Sequence, residues 1–271
     1  MNRYAARFAA LRQAGRKAFI PFTVLGFPDR ARCLASIEAM LAGGATALEL
    51  GIAFSDPIAD GPVIQQATHD VLASGFGVDD ALALIAQVRQ RDADIPIGLL
   101  VYHNTVAARG AGRFFADVRA AGADGVLIAD LPPEMAHETT AAAKQAGIAP
   151  IFMVSPLTDA ARLERLAALA EGFLYVVSRL GITGSQTHFD NQLRATLERA
   201  RAVVDLPLCV GFGVSTPAAA QHMVALGADG VITGSRIIEI IRAAGEDFGP
   251  AVEQFCRTMQ AAVDGTAVQA V

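Results

Sequence analysis

The stretch Gly43-Gly44-Ala45-Thr46-Ala47-Leu48-Glu49-Leu50-Gly51-Ile52 reads as the end of a helix, a turn and the start of a strand. The Ala-rich run before it, Arg30–Leu41, has helical spacing. Glycine then supplies the left-handed cap on which a helix can stop. The same Gly-Ala step into a β-type run recurs at Gly122–Ile128 and Gly227–Thr233, and more loosely at Gly147-Ile148. Working outward, β-type runs stand at Phe19–Val24, Ala47–Gly51, Ile97–Val101, Gly125–Ile128, Ala149–Met153, Phe173–Val177, Leu208–Gly211 and Gly230–Thr233, eight in all. Segments of helical period separate them at Asp79–Arg91, Gly112–Ala121, Pro133–Gln145, Ala160–Ala170, Gln192–Val203 and Pro217–Leu226. Eight such units predict the α/β class and a single closed (β/α)8 TIM barrel over residues 1–271, with a fraying tail at about 265–271. An extra amphipathic helix is expected within Met1–Lys17, with Tyr4, Phe8 and Leu11 on one stripe. A doubly wound open sheet would instead show a dinucleotide fingerprint after the first run, where Leu25-Gly26-Phe27-Pro28 stands.

Composition agrees with a packed enzyme interior. The 271 residues are 53% hydrophobic and 18% charged, enough to bury a large core. A net charge of −5 without any basic run argues against a nucleic-acid partner. The longest apolar stretches are strand-sized, far short of the roughly 20 residues of a membrane span. The first residues lack the apolar core of a secretory signal, so a cytoplasmic, soluble protein is expected. Cys33, Cys209 and Cys256 are odd in number and widely spaced, which describes buried small hydrophobes rather than disulfides or a thiolate site.

In such barrels chemistry sits at the C-terminal ends of the strands and in the loops that follow. In the second run, a period of two places Leu48, Leu50 and Ile52 on one face and Ala47, Glu49 and Gly51 on the other. Glu49 therefore points into the barrel between two small residues. Burying an unpaired carboxylate costs several kcal/mol, so a chain usually pairs it or uses it. No strand run holds an Arg or Lys to pair it. The next loop, Phe54-Ser55-Asp56-Pro57-Ile58-Ala59-Asp60-Gly61-Pro62, carries two further acids between prolines, and either Asp56 or Asp60 could hold a second carboxylate over the mouth.

The seventh and eighth runs end in Gly211-Phe212-Gly213 and Gly234-Ser235, the latter opening a helical run over Arg236–Arg242. Glycines let backbone N–H groups approach an anion, and a helix N-terminus adds about half a positive charge. Gly213, Gly234 and Ser235 thus describe a phosphate cradle. Gly181-Ile182-Thr183-Gly184 after the sixth run is a glycine-flanked loop able to close over the site. Lys17 and Lys144 are the only lysines, and neither follows a strand run, so no amine is placed for a Schiff base. The five histidines lack metal-ligand spacing. His69, His137, His188 and His222 read as surface or packing residues, while His103 lies where it could line the mouth. What remains is acid–base chemistry by carboxylates, with no metal, on a phosphate ester.

These residues resemble the α subunit family of tryptophan synthase. The likeness is carried by Leu48-Glu49-Leu50-Gly51-Ile52, Phe54-Ser55-Asp56-Pro57, Ala59-Asp60-Gly61-Pro62 and Gln65. It extends through Phe19-Ile20-Pro21-Phe22, Ala129-Asp130-Leu131-Pro132, Tyr175 with Ser178-Arg179, Gly181-Ile182-Thr183-Gly184, Gly211-Phe212-Gly213 and Gly234-Ser235. The resemblance implies retro-aldol cleavage of indole-3-glycerol phosphate to indole and glyceraldehyde 3-phosphate. It favours Asp60 over Asp56 and implies a catalytic set of Glu49, Asp60 and Tyr175. Glu49 would move the carbon and hydroxyl protons, and Asp60 would stabilise and then take the indole N–H proton. Gly184, Gly213, Gly234 and Ser235 would hold the phosphate, Phe22, Leu100 and Phe212 the indole, and Thr183 would approach Asp60 on loop closure. No cofactor is implied in this chain; pyridoxal phosphate is expected in a partner β subunit, which receives the indole within an α2β2 heterotetramer. Three positions depart from the family's habit: Ala53 replaces a usual Pro, His103 an aromatic or small residue, and Arg236 a usually small residue beside the cradle.

Overall fold

Eight short parallel strands, each too apolar to face water, bury both of their surfaces by closing on themselves and taking helices on the outside. The computed structural model describes residues 2–178 and 186–265. The order is α1 (Arg3–Gln13), β1 (Ala18–Val24), α2 (Arg30–Ala42), β2 (Leu48–Gly51), α3 (Pro62–Ala73), α4 (Val78–Arg91), β3 (Ile97–Val101), α5 (His103–Arg109), α6 (Ala111–Ala121) and β4 (Gly125–Ile128). It continues with α7 (His137–Gln145), β5 (Ala149–Val154), α8 (Ala160–Leu169), β6 (Leu174–Val177), α9 (Gln186–Arg201), β7 (Leu208–Gly211), α10 (Pro217–Ala225), β8 (Gly230–Thr233), α11 (Ser235–Ala244) and α12 (Phe248–Val263). The strands pair in sequence order and β8 closes on β1, giving the (β/α)8 barrel. Among the described residues no single helix is long and apolar enough to cross a membrane.

The strand positions follow the sequence pattern to within one residue. Three helices do not. α3 hides behind prolines that mark a loop, because Pro62 occupies its first turn, where a missing N–H does no harm. α5 begins directly after β3 without a turn signal, and α12 follows Gly245 across a short 3₁₀ turn. The run Pro133–Gln145 divides into a 3₁₀ turn, Pro133–Met135, and α7.

The Gly-Ala repeat is a structural device. Gly44, Gly122, Gly147 and Gly227 all adopt positive φ, whereas Gly43, the residue that caps α2, lies at φ −75°. Two residues after the left-handed glycine, Thr46, Asp124 and Asp229 occupy equivalent positions. Each accepts, through its side chain, the backbone N–H at or next to the start of the preceding strand: Phe19 at 2.9 Å, Ile97 at 3.0 Å and Leu208 at 3.0 Å. Each also donates its own N–H back to the carbonyl of that same residue. The three copies thus lock β1 to β2, β3 to β4 and β7 to β8 at the N-terminal end of the barrel. Asp124 is 1% exposed, and its charge is met by Arg3 and Arg89, each at 2.8 Å.

The same end is plugged by α1. Tyr4 enters between β3 and β4, and a Cβ at Gly98 or Gly125 would come within 2.5 or 2.9 Å of it. Its ring packs on Phe8 and edge-on to Phe173.

Asp124→Ala removes the carboxylate that pairs the partly buried Arg89 guanidinium and leaves the Ile97 N–H without its side-chain acceptor, so a loss of about 3 kcal/mol is expected in chemical denaturation. Thr46→Val, which removes neutral hydrogen bonds, should cost only about 1–2 kcal/mol. Equal losses would show that the charge network is not what stabilises this end.

Candidate active site

Glu49 sits on β2 in register with Phe22 of β1 and Gly98 of β3, and its side chain turns to the barrel interior. It is 4% exposed, and among the described residues no side chain hydrogen-bonds or ion-pairs with it. Burial, reinforced by the negative charge of nearby Asp60, pushes its carboxyl up to about 8. At neutral pH the Glu49 carboxyl therefore holds its proton.

Asp60 hangs over the mouth from the turn between β2 and α3. Two features fix that turn: Gln65 on α3 donates to the Asp60 carbonyl at 2.9 Å, and the Asp60 N–H returns to Pro57 at 3.0 Å. The Tyr102 hydroxyl donates to Asp60 Oδ2 at 2.9 Å and accepts the Ala59 N–H at 3.1 Å. Burial raises the Asp60 carboxyl and the Tyr102 hydrogen bond opposes that shift. Asp56 behaves differently: it is exposed and accepts from neighbouring Ser55 at 2.5 Å. Of the two loop acids, the one that reaches the cavity is Asp60.

Both carboxylates line one cavity of about 260 Å³ at the C-terminal end of the barrel. Phe22, Leu100, Tyr175, Phe212, Gly213, Gly234 and Ser235 line it too, so these sequence-predicted positions gather around one space. Gly51 and Gly234 flank the Phe22 ring; a Cβ at either would meet it at 2.9 or 2.7 Å. Tyr175 lies over Gly211 and packs edge-on to Phe212, ring centroids 5.7 Å apart. Phe212 has φ +65°, a strained value for a side-chain-bearing residue, and Gly213 follows at +84°. Two tethers hold this turn: the Ser178 hydroxyl donates to the Phe212 carbonyl, and the Thr233 hydroxyl donates to Val214 at 2.9 Å. α11 is preceded by Gly234 as its N-cap with no side-chain cap, leaving the Ser235 and Arg236 N–H groups to a ligand or water.

Arg179, Gly181, Ile182, Thr183 and Gly184 lie outside the described residues, as does the stretch 266–271. His103 is not among the cavity residues; it opens α5, and its N–H donates to Asp130 Oδ1 at 2.6 Å. The residue from this strand end that touches the site is Tyr102, one position earlier, which sequence reasoning passed over; it is buried and reaches Asp60 through its hydroxyl. Its signal was a hydrophobic residue at the end of a strand that also carries a hydroxyl. Ile64, Val214 and Ser215 also line the cavity unannounced.

A buried and a half-buried carboxyl group at one side of a barrel mouth, facing a glycine-rich turn and an uncapped helix N-terminus, define a (β/α)8-barrel enzyme of the acid–base class. A sequence profile described as tryptophan synthase alpha chain matches residues 8–265. The tryptophan synthase alpha chain of Shewanella amazonensis is 43% identical over 247 residues, covering 91% of this chain and 93% of the relative. That of Methanoregula boonei is 42% identical over 241 residues, covering 89% of each. Among solved structures, the alpha subunit from Legionella pneumophila superposes with a TM-score of 0.90 at 34% identity, covering 98% of this chain and 99% of the other. A chain of the tryptophan synthase complex from Pyrococcus furiosus gives 0.81 at 32% identity, covering 90% and 98%. The chain belongs to the tryptophan synthase alpha chain family.

The raised Glu49 carboxyl has a consequence for folding. As pH rises from the ordinary carboxylate value of 4.5 towards about 8, the unfolded chain releases this proton while the folded chain keeps it, so Glu49 makes stability fall across that window. Glu49→Gln should therefore gain a few kcal/mol over the wild type between pH 5 and pH 9. Denaturant titrations at both pH values check this; parallel stabilities of the two proteins would refute it.

Proposed function

We propose that this chain catalyses the retro-aldol cleavage of indole-3-glycerol phosphate to indole and glyceraldehyde 3-phosphate, with Glu49 and Asp60 as its acid–base pair. The observation that carries the assignment is the contrast between the two carboxyls. Glu49, without a hydrogen-bond donor among the described residues, is held neutral, whereas Asp60, also raised by burial, accepts a hydrogen bond from the Tyr102 hydroxyl that opposes the rise and favours its ionised form.

Indole C3 leaves as carbon only after protonation converts the ring to an indoleninium. Glu49 starts with the proton and donates it to C3. The resulting carboxylate takes the proton of the adjacent glycerol hydroxyl; the carbonyl forms, the carbon–carbon bond breaks and its electrons return to the ring. Glu49 ends protonated again. Asp60, as carboxylate, stabilises the positive charge on the ring nitrogen; a proton it accepts from that nitrogen is returned as the electrons of the broken bond flow back into the ring. Groups positioned in this way each contribute on the order of 10²–10⁴ in rate. Phe22, Leu100 and Phe212 enclose the indole, and Tyr175 packs beside the reacting carbons. Gly213, Gly234 and Ser235 hold the phosphate at the N-terminus of α11, joined by Gly184, with Thr183 closing towards Asp60.

The family works with a β subunit, to which the pyridoxal phosphate belongs; this chain needs no cofactor of its own. We assign the partner to the C-terminal face of the barrel, as an α2β2 tetramer in the cytoplasm. An open groove of about 660 Å³ there is lined by Ala53, Phe54, Ser55, Asn104 and Arg109. Ile58, Met135 and Leu157, all in loops at that end, expose large apolar side chains.

Indole release from indole-3-glycerol phosphate by the purified chain tests the assignment. Glu49→Gln should lose nearly all activity while still binding substrate. Wild-type kcat/KM should fall above about pH 8, where Glu49 loses its proton. Asp60→Asn should slow the reaction and move that alkaline limb to lower pH, because the charge that helps raise Glu49 is gone. An active Glu49→Gln variant would overturn the mechanism.

A further inference from the structure

The cavity is electrostatically one-sided. Among its described lining residues Glu49 and Asp60 are acids, and the one cation is Arg236, in the first turn of α11 next to Ser235. A doubly charged phosphate bound at the proposed cradle would be met there by backbone N–H groups, the Ser235 hydroxyl and the helix dipole, with no full positive charge among them. Arg236 does not point its guanidinium idly at solvent. It pairs with Glu239, one turn further along α11, at 3.2 Å, with both side chains about half exposed.

We propose that Arg236 is a substrate-binding residue that exchanges Glu239 for the substrate's phosphate when the site fills. An exposed pair three residues apart on a helix is among the weakest ionic contacts a protein makes. A guanidinium on a phosphate offers two parallel charge-assisted hydrogen bonds and meets a larger negative charge. The exchange therefore runs towards the phosphate, and Glu239 keeps the arginine beside the cradle while the site is empty. The consequence is a preference for the phosphorylated substrate, expressed in binding rather than in the chemical step. This inference rests on Gly213, Gly234 and Ser235 forming the phosphate end.

The test measures KM for indole-3-glycerol phosphate and the inhibition constant for inorganic phosphate in wild type, Arg236→Ala, Arg236→Lys and Glu239→Gln. Arg236→Ala should raise both constants roughly tenfold, flatten their dependence on salt, and leave its effect on KM rather than on kcat. Arg236→Lys should recover part of the loss, since an ammonium keeps the charge but not the paired geometry. Glu239→Gln, which frees the arginine, should lower the phosphate constant below that of wild type. If phosphate inhibits wild type and Arg236→Ala equally, Arg236 has no such role although the cradle stands. If phosphate does not inhibit wild type at all, the cradle assignment falls and this inference with it.

Discussion

A carboxyl group held inside the barrel with no cation paired to it among the described residues is the constraint on which the rest of the site depends. Glu49 is paid for in stability at neutral and alkaline pH, because the fold tolerates it only as the neutral acid. That state is what an acid-first retro-aldol reaction requires. Its register neighbours are arranged to keep the position dry and unobstructed. Gly98 has no side chain, the Phe22 ring slots between Gly51 and Gly234, and the Tyr4 ring closes the barrel from below. In the proposed reaction Asp60 contributes twice, as a reacting group and as the negative charge that pushes Glu49 further up.

The two ends of the barrel divide the work. At the N-terminal end, the buried and half-buried acids are paired: Asp124 meets Arg3 and Arg89, and Asp229 meets Lys17 and Arg201 while accepting the Leu208 N–H. These pairs fix strand register. At the C-terminal end, charge and backbone are left incompletely matched: Glu49 without a described partner, Phe212 strained, α11 uncapped. Such unsatisfied groups are tolerable only because the clamps at the opposite end hold the strands in place.

Much of this was legible in the sequence because its signals are local. Alternation in Ala47–Ile52 and the Gly-Ala repeat are short-range patterns, and together they give the strand count, the closure and the inward face of Glu49. Gly213 and Gly234, which line the cavity, are equally visible. What stayed hidden is long-range or carried by ordinary residues. Thr46, Asp124 and Asp229 look like turn residues until each is seen bonding a strand some 20 to 30 positions earlier. Tyr102 is indistinguishable from a core aromatic until the loop carrying Asp60 folds over it, and His103 beside it drew attention that its position does not support. Asp56 and Asp60 share a loop and a chemistry; in the structure their exposure and the Tyr102 hydrogen bond separate them.

The most direct test of this account is a pH titration of the Glu49 side-chain carboxyl carbon by NMR in selectively labelled protein, with Glu49→Gln identifying the resonance. The account predicts a midpoint near pH 8 that moves down when Asp60 is replaced by Asn. A midpoint near the ordinary glutamate value of 4.5 would contradict it, since Glu49 would then enter the reaction as a base with no proton to give.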